Sequence, residues 1–91
     1  MSERRPDEYY IELERRLRRL GPLAASVLPP QALTWFTDYL DAGEYGLAVE
    51  VASEQLPRDD VSPAARELAS GLLREAEIMG LGDDVIERLM P

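Results

Sequence analysis

Apolar residues recur along the chain every three to four positions, the period of one helix face, and no stretch alternates with the period of two that a half-buried strand would show. Breaks in the pattern fall at Gly21-Pro22, Pro29-Pro30, Gly43, Pro57, Ser62-Pro63 and Gly80. From about Asp7 to Leu20, the residues Tyr9, Tyr10, Leu13, Leu17 and Leu20 share one face and the arginines take the other. Acids in the first turn and arginines in the last suit the helix dipole, and Gly21 is expected to stop the helix. Glu12–Arg16 and Glu14–Arg18 have the spacing and order of stabilising pairs one turn apart. Residues 22–29 read as an apolar connector with room for a helical turn.

A second helix is expected from Pro30 to just before Gly43, burying Ala32, Leu33, Phe36, Tyr39 and Leu40. Thr34, Asp38 and Asp41 fall on its far side and Trp35 at the edge. A third, from about Glu44 to Leu56, is apolar over more than half its circumference through Tyr45, Leu47, Ala48, Val49, Val51, Ala52 and Leu56. That pattern suits the central helix of a bundle, with Gly46, Glu50, Ser53 and Glu54 as its exposed strip. Ser62 and Pro63 open a fourth helix that runs to Met79, burying Ala65, Leu68, Ala69, Leu72, Leu73, Ala76 and Met79. A short fifth, about Asp83 to Met90, buries Val85, Ile86 and Leu89. The expected fold is all-α: an antiparallel bundle of four helices plus a short C-terminal one. Its 91 residues suffice for one domain, with residues 1–6 expected to be flexible.

Composition narrows the chemistry. Cysteine and histidine are absent, which removes disulfides, thiolate and imidazole nucleophiles and the usual zinc, haem and iron–sulfur ligands. No lysine occurs, and 18 Asp plus Glu face 10 Arg for a net charge of −8. Residues 1–19 carry +1 and residues 20–91 carry −9. Such a surface repels nucleic acid and anionic membranes and attracts basic proteins or cations. No apolar run approaches the roughly 18 residues of a membrane span, and charges stand where a signal peptide needs its apolar stretch, so a cytoplasmic location is expected.

Carboxylates are the remaining reactive groups. Glu50 and Glu54 lie one turn apart, as paired acids for hydrolysis would, but on an exposed strip with nothing around them to separate their acidities. Asp59-Asp60 and Asp83-Asp84 lack the spacing of a calcium loop and read as acids at helix starts. Gly80-Leu81-Gly82 has neither the preceding strand nor the lysine of a phosphate loop. No enzyme activity, metal or cofactor is expected.

The densest constellation is an acidic hairpin. Residues 31–60 hold Asp38, Asp41, Glu44, Glu50, Glu54, Asp59 and Asp60 against Arg58 alone, a net −6. A face built only for solubility usually mixes signs, as the first helix does. An acidic patch steers basic partners, and Trp35 and Tyr39 stand at its edge as apolar anchors; Trp35 packed at the rim of the core is the competing reading.

Within that hairpin the stretch YLDAGEYGLAVEVASEQL, residues 39–56, resembles small helical immunity proteins of bacterial polymorphic toxin systems, of the MafI type and the CdiI-like proteins of contact-dependent inhibition. ELASGLLREAEIMGL in the fourth helix agrees more loosely, and the Arg-rich first helix lies outside the likeness. The resemblance implies a non-catalytic inhibitor, kept in the cytoplasm of the producing cell, that binds the catalytic domain of a cognate toxin, often a nuclease with a basic substrate surface. Over the motif positions, it implies that Gly43 permits the interhelical turn, Gly46 a close approach, Leu47 and Ala48 core packing, and Glu44 and Glu50 surface contacts.

The expected partner-binding set is Trp35, Asp38, Tyr39, Asp41, Glu44, Tyr45, Glu50, Glu54, Asp59 and Asp60 on a monomer. Two other classes stand beside it: a helical oligomerisation or adaptor module, which would be dimeric, and a small carboxylate enzyme.

Overall fold

The computed structural model describes residues 7–91, so the expectation for residues 1–6 lies outside the described part. Six helices follow one another with no strand among the described residues: α1 (Asp7–Arg19), α2 (Gly21–Val27), α3 (Pro30–Asp41), α4 (Tyr45–Gln55), α5 (Pro63–Met79) and α6 (Asp83–Leu89). The all-α bundle is as the periodicity predicts. One connector differs.

Residues 22–29 hold more than the one helical turn allowed for, since α2 spans seven residues, and Gly21 does not end the preceding helix by a left-handed turn. Leu20 keeps right-handed helical angles, φ −80° and ψ −8°, and Gly21 opens α2. Pro22 costs nothing there, because the first-turn N–H groups have no intrahelical acceptor. Burial of Ala24 and Val27, with Leu28 just beyond, recruits the segment into the core.

The turns after α3 and after α5 share one device. After α3, Gly43 takes φ 75° and the Glu44 N–H reaches back to the Tyr39 carbonyl at 2.8 Å. After α5, Gly80 takes φ 71° and the Leu81 N–H reaches the Ala76 carbonyl at 3.0 Å. Each bond satisfies a carbonyl that the helix end would leave bare. Ser62 caps the other end of α5, its Oγ accepting from the Ala65 N–H at 3.2 Å.

Every helix contributes to one core, whose largest fully buried side chains are Phe36, Leu13, Leu17, Leu68, Leu72 and Val49. Helix α4 packs against α1, α3, α5 and α6, as its broad apolar surface suggests, and α5 meets α1, α2, α4 and α6. Helices α1 and α5 run antiparallel. Leu20 lies over Gly71, where a Cβ would come within 2.7 Å of its Cδ2, and one turn along Arg16 Nε sits 3.0 Å from both carboxylate oxygens of Glu75. Glu75 is only 4% exposed, and the guanidinium supplies the partner a buried carboxylate requires. Arg16 is thus spent across the bundle, and Glu12 pairs with Arg15 in place of Arg16.

Replacing Gly43 by alanine should cost about 1–2 kcal/mol, the penalty of a left-handed non-glycine residue, since no neighbour within 4 Å obstructs a Cβ there. Gly46→Ala should leave stability unchanged or raise it. A Cβ on Gly46 would make ordinary contacts, 3.5 Å to Leu81 and 3.8 Å to Met79. Urea unfolding of the two variants checks this; equal losses would refute the assignment.

Candidate partner-binding surface

Helices α3 and α4 form the acidic hairpin, joined by Ala42–Glu44. In α3, Ala32, Phe36 and Leu40 point inward at four-residue intervals, which turns Trp35 and Asp38 outward and leaves Tyr39 half-buried. Trp35 is 41% exposed, so part of its surface is open to solvent.

Helix α4 is rotated from the sequence expectation. Ala48, Val49, Ala52 and Ser53 point inward, and the outward side carries Leu47, Glu50, Val51 and Glu54. Ser53, expected on the polar strip, is 3% exposed, and Leu47, expected in the core, is 41% exposed. The hydroxyl tolerates burial because its hydrogen bonds are made: Ser53 Oγ donates to the Glu50 carbonyl at 2.8 Å and accepts from Arg88 Nη1 at 3.2 Å. Helix α6 brings that arginine to the Ser53 side. A helix apolar over most of its circumference does not define its inner side, so Leu47 was the surface residue that sequence periodicity missed.

The expected site residues divide into two groups. Asp41 and Tyr45 belong to a network that fastens α1 to the hairpin turn. Arg18 donates through Nη2 to Asp41 at 2.9 Å and through Nε to Glu14 at 2.7 Å, and the Tyr45 hydroxyl donates to Glu14 at 2.8 Å. The Tyr45 ring stacks on Tyr10 at 6.5 Å, and Tyr10 meets Tyr9 edge-on at 5.1 Å. The Arg18 and Tyr45 hydrogen bonds hold the Glu14 carboxyl below its ordinary range. The same carboxylate raises Tyr45, because it accepts from the phenol and disfavours a phenolate. Asp60 is likewise engaged: the Ser62 backbone N–H donates to it at 3.0 Å and holds its carboxyl below the ordinary range.

The second group has no internal counter-charge. Among the described residues no arginine pairs with Asp38, Glu44, Glu50, Glu54 or Asp59. Glu44, just before α4, makes no side-chain cap. These five acids, with Trp35 and Leu47 as exposed apolar groups and Tyr39 and Val51 half-buried, occupy the outward side of the hairpin and its flanking loops. Among the described residues no cluster of three or more carboxylates has the arrangement of a metal site. No helix of the described residues is long and apolar enough to cross a membrane.

Comparison with protein-family models, with curated proteins and with solved structures returns no match.

The α1 network should show in acid. A carboxyl depressed in the folded state stabilises above its unfolded value, and that contribution disappears as the pH falls through the folded one. Arg18→Gln should therefore melt below the wild type at pH 7, with the gap closing as Glu14 protonates. Thermal melts followed by circular dichroism from pH 7 to 3 measure it; a gap of constant size would contradict the network.

Proposed function

We propose that the chain is an immunity protein: a non-catalytic cytoplasmic inhibitor that binds the catalytic domain of a cognate bacterial toxin, a basic nuclease, through the outward side of the α3–α4 hairpin. The observation that supports this most is the absence of any arginine partner, among the described residues, for Asp38, Glu44, Glu50, Glu54 and Asp59. Unneutralised carboxylates repel one another inside the domain, and a cationic partner relieves that repulsion. Trp35 and Leu47 add the apolar contact that desolvates an interface and slows dissociation. The sequence likeness over residues 39–56 points the same way.

An adaptor that pairs with a second copy is the other reading, and exposed Trp35 and Leu47 would serve it too. A twofold dimer through this hairpin, however, would set each acidic face against its own image, and like charges across an interface oppose association. A partner of opposite sign avoids that cost.

Mixing the chain with the toxin catalytic domain encoded beside it should give a monomeric inhibitor bound one to one, with nuclease activity lost. The triple variant Asp38→Asn, Glu50→Gln, Glu54→Gln should associate about tenfold more slowly at low salt and show a weaker dependence on ionic strength. Trp35→Ala should chiefly speed dissociation, weakening the complex by about 30-fold, the scale of an interface anchor. Stopped-flow association and calorimetry provide the rates and affinities. Binding that ignores salt, or no binding at low ionic strength, would overturn the proposal.

A further inference from the structure

Helix α1 turns Tyr9, Leu13 and Leu17 toward the core at four-residue intervals, with Leu13 and Leu17 fully buried and Tyr9 partly so. A stripe of that spacing resists a slide of three residues, which would carry Arg16 into the place of Leu13 or Glu14 into that of Leu17. It resists a slide of four residues much less. Leu13 would then take the place of Leu17 and Tyr9 that of Leu13, or Leu17 the place of Leu13 and Leu13 that of Tyr9. The junction with α2 adds little constraint: Leu20 makes no side-chain cap, and a Cβ on Gly21 would meet nothing within 4 Å.

Charge separates the positions that apolar burial leaves close. At four-residue steps α1 presents Glu12, Arg16 and Leu20. Of these, Arg16 suits the site on α5, where its Nε lies 3.0 Å from both oxygens of Glu75. A slide of one turn in one direction sets Glu12 against Glu75, two carboxylates at a site almost closed to solvent. A slide the other way leaves Glu75 facing Leu20, buried and without a cation. The same slide that brings Glu12 to Glu75 brings Glu14 to the place of Arg18 beside Asp41, again acid against acid.

We propose that the Arg16–Glu75 pair is a register lock, which contributes little to the net stability of the fold and instead selects one position of α1 on α5 against positions one helical turn away. A buried ion pair is a poor source of stability, because the cost of taking both charges out of water offsets their attraction, whereas leaving one of them unpaired is expensive. That asymmetry penalises every register except the one that pairs. A single polar residue in the apolar seam of a coiled coil fixes register in the same manner. By holding α1 in place, the pair also delivers Arg18 to Asp41 and Glu14 to the Tyr45 hydroxyl at the hairpin turn.

Two variants of the full chain, followed by NMR without any partner, test this independently of the proposed function. Arg16→Met with Glu75→Met replaces both charges by unbranched apolar side chains. It should melt at or above the wild-type temperature, while the amide signals of α1 double or broaden and the contact between the Leu20 methyls and Gly71 loses intensity. Glu12→Arg with Arg16→Leu moves the cation back by one turn. Helix α1 should follow it, so that the methyls introduced at position 16 replace those of Leu20 beside Gly71. The proposal fails if the methionine variant keeps one sharp set of α1 signals with the Leu20–Gly71 contact intact, if it melts well below the wild type, or if the relocated cation leaves Leu20 on Gly71. Should the relocation variant not fold, the methionine variant decides alone.

Discussion

Ten arginines serve eighteen carboxylates in this chain, and where the arginines are spent determines which surface is left charged. Arg16 is committed to Glu75, because a carboxylate that is 4% exposed cannot go unpaired without a penalty of several kcal/mol. Arg18 is divided between Glu14 and Asp41, which fastens α1 against the turn of the α3–α4 hairpin. Arg15 closes a local pair with Glu12, and Arg88 serves Ser53 in the interior. Internal pairing therefore takes up three of the four arginines of α1, and Asp41 is the one hairpin acid to which any of these described arginines reaches. The hairpin keeps its negative face because no arginine, whether paired in α1 and α6 or unpaired, comes within ion-pair distance of its other acids among the described residues.

Much of this was legible in the sequence. The helical period places α3, α5 and α6 within a residue of where they occur, and the stripes Ala32–Phe36–Leu40 and Ala65–Leu68–Leu72–Ala76 are buried as that period requires. Glycines at the ends of α3 and α5 mark their stops because only the left-handed conformation lets the next N–H reach back to a bare carbonyl. Three things were hidden. The extension of helix over all of 21–27, beyond a single turn, accompanies burial of Ala24 and Val27 by neighbours distant in sequence. The choice of Glu75 over Glu12 as the partner of Arg16 depends on α1 lying antiparallel to α5. The rotation of α4 depends on Arg88 arriving from α6 to satisfy Ser53. Each is a tertiary contact, and periodicity along one helix contains no information about it.

The candidate site was legible as charge and less so as geometry. Counting acids over residues 31–60 finds the hairpin, but two of the expected contacts are internal: Asp41 is held by Arg18, and the Tyr45 hydroxyl by Glu14. In their place the structure offers Leu47, on the same side of α4 as Glu50 and Glu54. The proposed partner surface is thus an acidic rim with apolar anchors from both helices, Trp35 from α3 and Leu47 from α4.

Under the proposed function, the outward side of the hairpin is the part of the molecule that a basic partner covers. Amide and indole NMR of the labelled chain, free and saturated with the catalytic domain of the toxin encoded beside it, maps that contact residue by residue. The Trp35 indole and the amides of Asp38, Leu47, Glu50 and Glu54 should move or broaden while those of α2 and the α1–α5 contact stay in place. A footprint on α1 and α5 that leaves the hairpin unchanged would contradict it.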